Sequence, residues 1–571
     1  MFSHFLKNDQ AEGLMNDWKK NTIIYQIYPK SYFDSNHDGS GDLEGIIQKI
    51  PYLKSLGITM VWLSPIYLSP MADNGYDISD YRAIHPMFGN LEIFKRLVKT
   101  LHENEIKIMM DLVLNHSSDE HPWFKESLNK PSSSEEDFYI WRKGQKNNRK
   151  PPNNWTSFFT GKAWTYKQER DAYYLHLFGH KQPDLNWENE RVRKELYKIV
   201  EFWIDIGVDG FRMDVINLIS KRKGLPKGKF SIALTGKEHY MNGPKVHQYL
   251  KEFHQQVLAE KALITVGETV FVSPEEALKY CHKDADELDM VFHFDHMNVD
   301  SFNNKWFIRP FKPKKLKKVL YRWQEELYPD GWNALYFENH DQPRSVSRFG
   351  NTKDYYERSA KMLATVLYLQ RGTPYIYQGQ EIGMQNVSFT DLAQYRDIET
   401  LNVYDIGRNK LHFTHRRMMK KIRYMSRDNA RTPMQWNAQA NAGFSSTEPW
   451  IEVNPNYPNI NVEIQESDPH SILNYYRQLI ALRKQYNVII EGDFKPYYVN
   501  HKALYFYTRS DEQCTVIVIA NHGEKELAFD VPNEFSTEHT TPILSNMEKK
   551  PLQRTMKLAP YEAQVYTIGK V

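Results

Sequence analysis

Residues 210–217 read GFRMDVIN, a short apolar run in which Arg212 and Asp214 stand two positions apart. Successive side chains of a strand alternate between its faces, so these two charged groups share one face. Charge set against an apolar strand costs several kcal/mol unless it is paired or put to use. The same pattern recurs at three other places. The run 107–116, KIMMDLVLNH, ends in Asp111, Asn115 and His116; VGET at 266–269 ends in Glu268; and FENHDQPR at 337–344 carries His340 and Asp341. A single Asp at a strand end is as often a helix cap or an ion-pair member as a catalyst, and a lone His there is more often structural. Four such ends in sequence call for a common explanation.

Strand-like runs alternate with helical patterns along the chain, at 23–28, 60–64, 107–113, 210–215, 263–267, 290–294, 334–337 and 374–377. That alternation argues for βαβ units and a parallel sheet, and eight strands is the number that closes a barrel. The expected fold is α/β, a (β/α)8 barrel whose active site gathers at the C-terminal strand ends. Leu43, Ile46, Ile47, Ile50, Leu53 and Leu56 recur at helical spacing and predict one helix with a core-facing stripe. The segment 192–206 does likewise, and Gly207 closes it. From 117 to 186 the chain is rich in Pro, Asn, Trp and Tyr and poor in periodicity, which predicts an inserted subdomain. Short alternating runs at 503–508, 514–520 and 563–568 predict a C-terminal antiparallel β domain. The expected organisation is barrel 1–116, insert 117–186, barrel 187–492 and β domain 493–571.

The 571 residues carry 74 Lys+Arg against 71 Asp+Glu, a net charge of +3, so there is no basic surplus for nucleic acid or an acidic membrane. The expected partner is a small neutral molecule. The two cysteines, Cys281 and Cys514, support neither a disulfide framework nor a zinc cluster. Lys7, Asp9, Glu12 and Asp17 interrupt the first twenty residues, which lack the apolar core of a signal peptide. No run reaches transmembrane length. A cytoplasmic protein is expected, with monomer as the default state.

The four strand-end blocks, with NTIIYQIYPKSYFDSN at 21–36, resemble the signature regions of the α-amylase superfamily of glycoside hydrolases over nearly the whole chain. Cleaving a glycoside with retention needs a carboxylate nucleophile and a protonated carboxyl, roughly 5 to 5.5 Å apart. The resemblance implies Asp214 as nucleophile, Glu268 as acid/base and Asp341 as the third carboxylate, which holds the sugar's hydroxyls. Arg212, on the face of Asp214, is expected to keep that nucleophile ionised. His116 and His340 resemble the histidines that bond the glucose ring.

MADNGYDISDY (71–81), KQPDLNWEN (181–189), MNGPKVHQYL (241–250) and RDNARTPMQW (427–436) resemble the branch of bacterial oligo-1,6-glucosidases, with sucrase-type α-glucosidases close behind. Exo action on the non-reducing end is implied. Within that branch the motifs map onto Asp77 and Arg431 as the pair gripping the terminal glucose. Tyr76, Phe159 and Gln182 are further pocket candidates, with a core role as the alternative for the two aromatics. Val follows the nucleophile in branch members that prefer α-1,6 bonds, and Val215 stands there; a branched methyl changes discrimination by roughly 1 to 3 kcal/mol. QPDLNWEN and MNGP depart from the segments of trehalose-6-phosphate hydrolases, and SVSRFGN (345–351) stands where sucrose isomerases carry an arginine-rich motif. A non-catalytic barrel of the transporter-subunit kind is the rival from another class, disfavoured because the carboxyls are present.

DSNHDGSGD at 34–42 places Asp34, Asn36, Asp38 and Asp42 around Gly39, in the spacing of the first part of an EF-hand loop, but Gly45 replaces the final Glu. Relatives in the branch hold a structural calcium in the equivalent loop, which implies the same here with the Ser40 carbonyl as a further ligand. Turn chemistry without metal is the alternative. No organic cofactor is expected.

Overall fold

The computed structural model describes residues 18–129, 133–229, 231, 234–302, 304–535 and 539–569; the segment 1–17, read above for a signal peptide, lies outside them. Eight parallel strands form the central sheet: β1 (Ile24–Ile27), β2 (Met60–Leu63), β3 (Lys107–Leu112), β4 (Gly210–Met213), β5 (Ile264–Glu268), β6 (Met290–Phe292), β7 (Ala334–Leu335) and β8 (Thr373–Tyr377). Their order is β6-β5-β4-β3-β2-β1-β8-β7, and a parallel bridge between Val291 and Asn333 joins the two outer strands, closing the (β/α)8 barrel. Both faces of each strand are covered, which is why the sequences run almost continuously apolar, as in IYQI and MVWL.

Helices pack outside the strands because each offers one apolar stripe. Glu190–Ile206 buries Val192, Leu196, Ile199, Val200 and Trp203; Asn189 caps its start, and Gly207 ends it at φ 110, in the left-handed region that glycine enters without strain. Burying each of those large side chains contributes roughly 1.5 to 3 kcal/mol, so Trp203→Ala would remove a major part of the helix's anchorage. The stripe from Leu43 to Leu56, expected as one helix, is two: Leu43–Gln48 and Ile50–Leu56. In an unbroken helix Pro51 could donate no amide to the Ile47 carbonyl and its ring would clash with it, whereas it is tolerated in a first turn, and the break falls at Lys49 (φ −99, ψ 3).

The segment 117–186 carries the helix Pro122–Asn129 and a three-stranded antiparallel sheet of Trp141–Arg142, Ala172–Leu175 and Trp164–Lys167. It also pairs back onto the barrel, His116 bridging to Asp184. From Asp493 onward the chain forms a five-stranded antiparallel sheet and a two-stranded pair, with Leu504, Phe506, Ile517, Ile519 and Tyr566 in a core of their own. Among the described residues no helix is long and apolar enough to cross a membrane.

Candidate active site

Register decides the site. In the sheet Asp111 lies beside Arg212, and Arg212 beside Val266. Asp214 is two residues beyond Arg212 and Glu268 two beyond Val266, so the period-two rule turns all four polar side chains into the barrel mouth. Gly267 allows the approach: a Cβ there would lie 2.5 Å from Leu288 Cδ1 and 2.9 Å from Ile216 Cγ2.

Arg212, 1% exposed, is the hub. Its Nη1 lies 2.7 Å from both Asp111 Oδ1 and Asp214 Oδ1, and its Nη2 lies 2.6 Å from Glu268 Oε2. Glu268 Oε2 also accepts from the Val215 amide at 3.2 Å. The sequence predicts an Arg212 devoted to keeping Asp214 ionised; the structure shares that one guanidinium among three carboxyls. Burial pushes the Asp214 carboxyl well above its ordinary range, Arg212 opposes this, and Glu268 and Asp111 add to the rise. Asp111 goes up to about 6 for the same first reason. Three buried carboxyls compete for one cation, and the titrations of Asp111 and Asp214, both raised by burial, are linked.

Across the mouth, Asp341 faces a different environment. Its Oδ1 lies 2.8 Å from Arg431 Nη2 and 3.2 Å from Arg427 Nη1. Burial raises its pKa, but His340 and the two guanidiniums more than offset that and hold the carboxyl below the usual carboxylate range. His340 is pushed down to about 3, chiefly by burial, and is neutral. Its ring stacks on Tyr76 at 5.3 Å with a 5° interplanar angle, and its Nε2 lies 2.6 Å from the Tyr76 hydroxyl, which donates to Asp111 Oδ2 at 3.0 Å. His116, lowered to about 4 by burial, sits 3.2 Å from the Tyr76 carbonyl and 3.3 Å from Gln182 Nε2.

These groups line one cavity of about 790 Å³ that contains Tyr76, His116, Phe159, Gln182, Asp214, Val215, Glu268 and Asp341 in its wall. Arg212 and His340 lie behind it, touching the wall residues. Val215 adopts φ 38, ψ 41. For a β-branched side chain this is an outlier worth about 1 to 3 kcal/mol, the kind of strain that accumulates at functional sites.

The structure corrects two placements. Asp77 is fully buried and outside the cavity: it accepts from Ser69 Oγ, the Ala72 amide and the Asp73 amide, and so closes the 69–77 turn. That turn presents Asp73 to the cavity instead, where it meets Arg427 Nη2 at 3.1 Å and Gln182 Nε2 at 3.2 Å. Likewise Arg427 lines the cavity and sits over the Phe159 ring at 5.3 Å, while Arg431 lies behind, bonding Asp341 and the His340 carbonyl. MADNGYDISDY holds both aspartates and RDNARTPMQW both arginines; only the path of the turn and of the short helix Asp428–Arg431 tells them apart.

In the 34–42 loop the donor set is all oxygen, the chemistry of a hard cation. Asp34 accepts from the His37 and Gly39 amides and Ser445 Oγ, Asp38 from the Ser40 amide and Asn36 Nδ2, and Asp42 from Ser35 and from the Gly45 amide as helix cap. Among the described residues no group of three or more His, Cys, Asp or Glu side chains is gathered for a metal. The loop is also sewn to the 444–450 segment, through Asp34 N to the Phe444 carbonyl and Trp450 N to the Gly39 carbonyl.

Residues 26–492 match the alpha-amylase catalytic domain family. The chain is 50% identical to the oligo-1,6-glucosidase of Parageobacillus thermoglucosidasius over 557 residues, covering 96% of this chain and 99% of the relative. It is 48% identical to the oligo-1,6-glucosidase of Bacillus cereus over 556 residues, with coverage of 96% and 99%. The crystal structure of Bacillus licheniformis trehalose-6-phosphate hydrolase superposes with a TM-score of 0.92 at 43% identity, covering 97% of this chain and all of that one.

Proposed function

Since the chain belongs to the α-amylase family of glycoside hydrolases, we propose that it is a retaining α-glucosidase that removes glucose from the non-reducing end of short α-1,6-linked isomalto-oligosaccharides. The observation that carries this reading is the Arg212 hub. One guanidinium holds Asp214 and Glu268 together in the cavity wall, where the family's chemistry calls for a paired nucleophile and acid/base.

The retaining mechanism requires a protonated Glu268 and an ionised Asp214, which is paired with Arg212. Glu268 donates its proton to the glycosidic oxygen as Asp214 attacks the anomeric carbon, and a covalent glucosyl-enzyme forms. Water then attacks from the face the leaving sugar vacated, Glu268 takes its proton, and α-glucose leaves. Asp341, held ionised by two arginines, accepts sugar hydroxyls and favours the oxocarbenium-like state. His340 and His116, both neutral, donate or accept without adding charge. The ion-paired wall of Asp73 and Arg427, stacked on Phe159, suits a closed pocket end and so exo action.

Val215 borders the nucleophile, and its strained backbone fixes its methyls; we assign it the choice between α-1,6 and α-1,4 bonds. The same proposal includes a structural calcium held by Asp34, Asn36, Asp38, Asp42 and the Ser40 carbonyl, which would brace the loop against 444–450. It also includes a monomeric, cytoplasmic enzyme, in keeping with two free, buried cysteines. The test is a panel of initial rates on isomaltose, isomaltotriose, maltose, sucrose, trehalose and trehalose 6-phosphate. Isomaltose and isomaltotriose should lead; a lead for trehalose 6-phosphate would replace the substrate assignment and leave the carboxyl roles standing.

A further inference from the structure

Four large apolar side chains on the rim of the catalytic cavity are about half exposed: Phe271 (49%), Phe302 (50%), Phe307 (45%) and Leu411 (50%). Fully burying one such side chain is worth roughly 1.5 to 3 kcal/mol, so leaving four of them in water around one opening is a standing cost. Each of the three rings also has a cation over it. Lys237 lies over Phe271 at 5.4 Å, Arg309 over Phe302 at 4.2 Å, and Lys421 over Phe307 at 5.6 Å. A ring has two faces, and a cation that takes one leaves the other for a ligand. Phe271 is in addition held at φ 56, a left-handed conformation rare for a bulky residue and a mark of stored strain at functional positions.

These rings stand on separate elements. Phe271 follows β5 and the acid/base Glu268, Phe302 and Phe307 belong to the paired strands Ser301–Phe302 and Asn304–Ile308, and Leu411 follows the helix Ile398–Asn409. The rim is continuous with the cavity that holds Asp214 and Glu268. Within it lie the carboxyls of the reaction; at the rim the exposed rings stand among polar side chains such as Asn298, Ser301 and Lys305.

We propose that this rim is a stacking platform for the glucosyl unit that lies beyond the leaving sugar, so that the enzyme favours α-glucosides of three units over those of two. A pyranose presents C–H groups on its faces and hydroxyls around its edge; it can lie on a phenyl ring and keep its hydroxyls in water. Such a platform reads the presence of a sugar more than its linkage, and leaves linkage choice to the inner site. The inference rests on the α-glucosidase reading above.

The experiment compares kcat/KM for isomaltose and isomaltotriose in the parent and in the Phe302→Ala, Phe307→Ala double variant, with thermal unfolding as the control for folding. Isomaltotriose should lose about tenfold, equivalent to about 1.4 kcal/mol, while isomaltose stays within about twofold. Leu411→Ser, outside the strand pair that carries those rings, should move the same ratio in the same direction without lowering the melting temperature. If both substrates change together, or neither changes, the platform is refuted. If the parent hydrolyses neither isomaltose nor isomaltotriose, it is the α-glucosidase reading that fails.

Discussion

Asp214→Asn should give a folded protein that is at least as stable as the parent near neutral pH and almost inert. Three buried carboxyls share the Arg212 guanidinium, so asparagine removes excess negative charge and leaves Arg212 with Asp111 and Glu268. The neighbouring Asp111 is raised in the same direction, to about 6 and by burial first, so the crowding is a property of the site and not of one side chain. Asp214 is raised as well, by burial first. A group whose folded pKa lies above its unfolded value supports folding most fully below the unfolded value, and that support is lost as pH rises through the folded one. The stability gain of the variant should therefore be small near about pH 4, where an unfolded carboxyl titrates, and grow as pH rises above it. Activity depends on the opposite property of the same side chain, since an amide cannot form the glucosyl-enzyme; the rate should fall by about 10³ or more. Initial rates of glucose release from isomaltose, measured beside thermal unfolding across this pH range, test both halves. A folded variant that keeps about a tenth of the parental rate refutes the nucleophile assignment, and one that melts well below the parent at neutral pH refutes the charge argument.

Glu268→Gln should likewise abolish most hydrolysis while the fold persists, and in the parent the first glucose released should be the α anomer in its proton spectrum; β-glucose appearing first would overturn retention. Val215→Ala or Val215→Thr should raise the maltose to isomaltose rate ratio by about tenfold if the residue contributes about 1 to 2 kcal/mol to linkage choice, and an unmoved ratio removes Val215 from the specificity account. Asp73→Ala should lower kcat/KM by about a hundredfold, whereas Asp77→Ala, which loses three hydrogen bonds of about 1 kcal/mol each, should show first as a lowered melting temperature; the reverse pattern would restore Asp77 as the sugar-binding residue. Chelation should lower the melting temperature by releasing the loop from its anchor at 444–450, and an unchanged melting curve with no metal in elemental analysis would remove calcium.

The barrel was legible because its information is local and repeated. Each strand is an apolar run that reads the same in isolation as in the sheet, and the charged residues at β3, β4 and β5 stand out against that background. The break at Lys49 shows the limit of periodicity: the stripe from Leu43 to Leu56 looks unbroken, yet Pro51 divides the helix while leaving most of the stripe buried. Phe271, Phe302 and Phe307 carried no pattern at all, since an exposed phenylalanine gains meaning only from what lies beside it.

Sequence by itself determined the eight strands, the family, and which four strand ends carry carboxyls, because period-two alternation and motif order are properties of the chain. Tertiary structure alone decided which of two candidates in a motif reaches the cavity. Asp73 and Asp77 are four residues apart in one turn, and Arg427 and Arg431 four apart around one short helix; in each pair one side chain faces the sugar pocket and its twin holds the scaffold in place. It also decided the electrostatic surroundings of the carboxyls. Charge sharing around Arg212 depends on the register that sets Asp111, Asp214 and Glu268 around one buried guanidinium, and residues more than 150 positions apart become electrostatic neighbours only when the barrel closes.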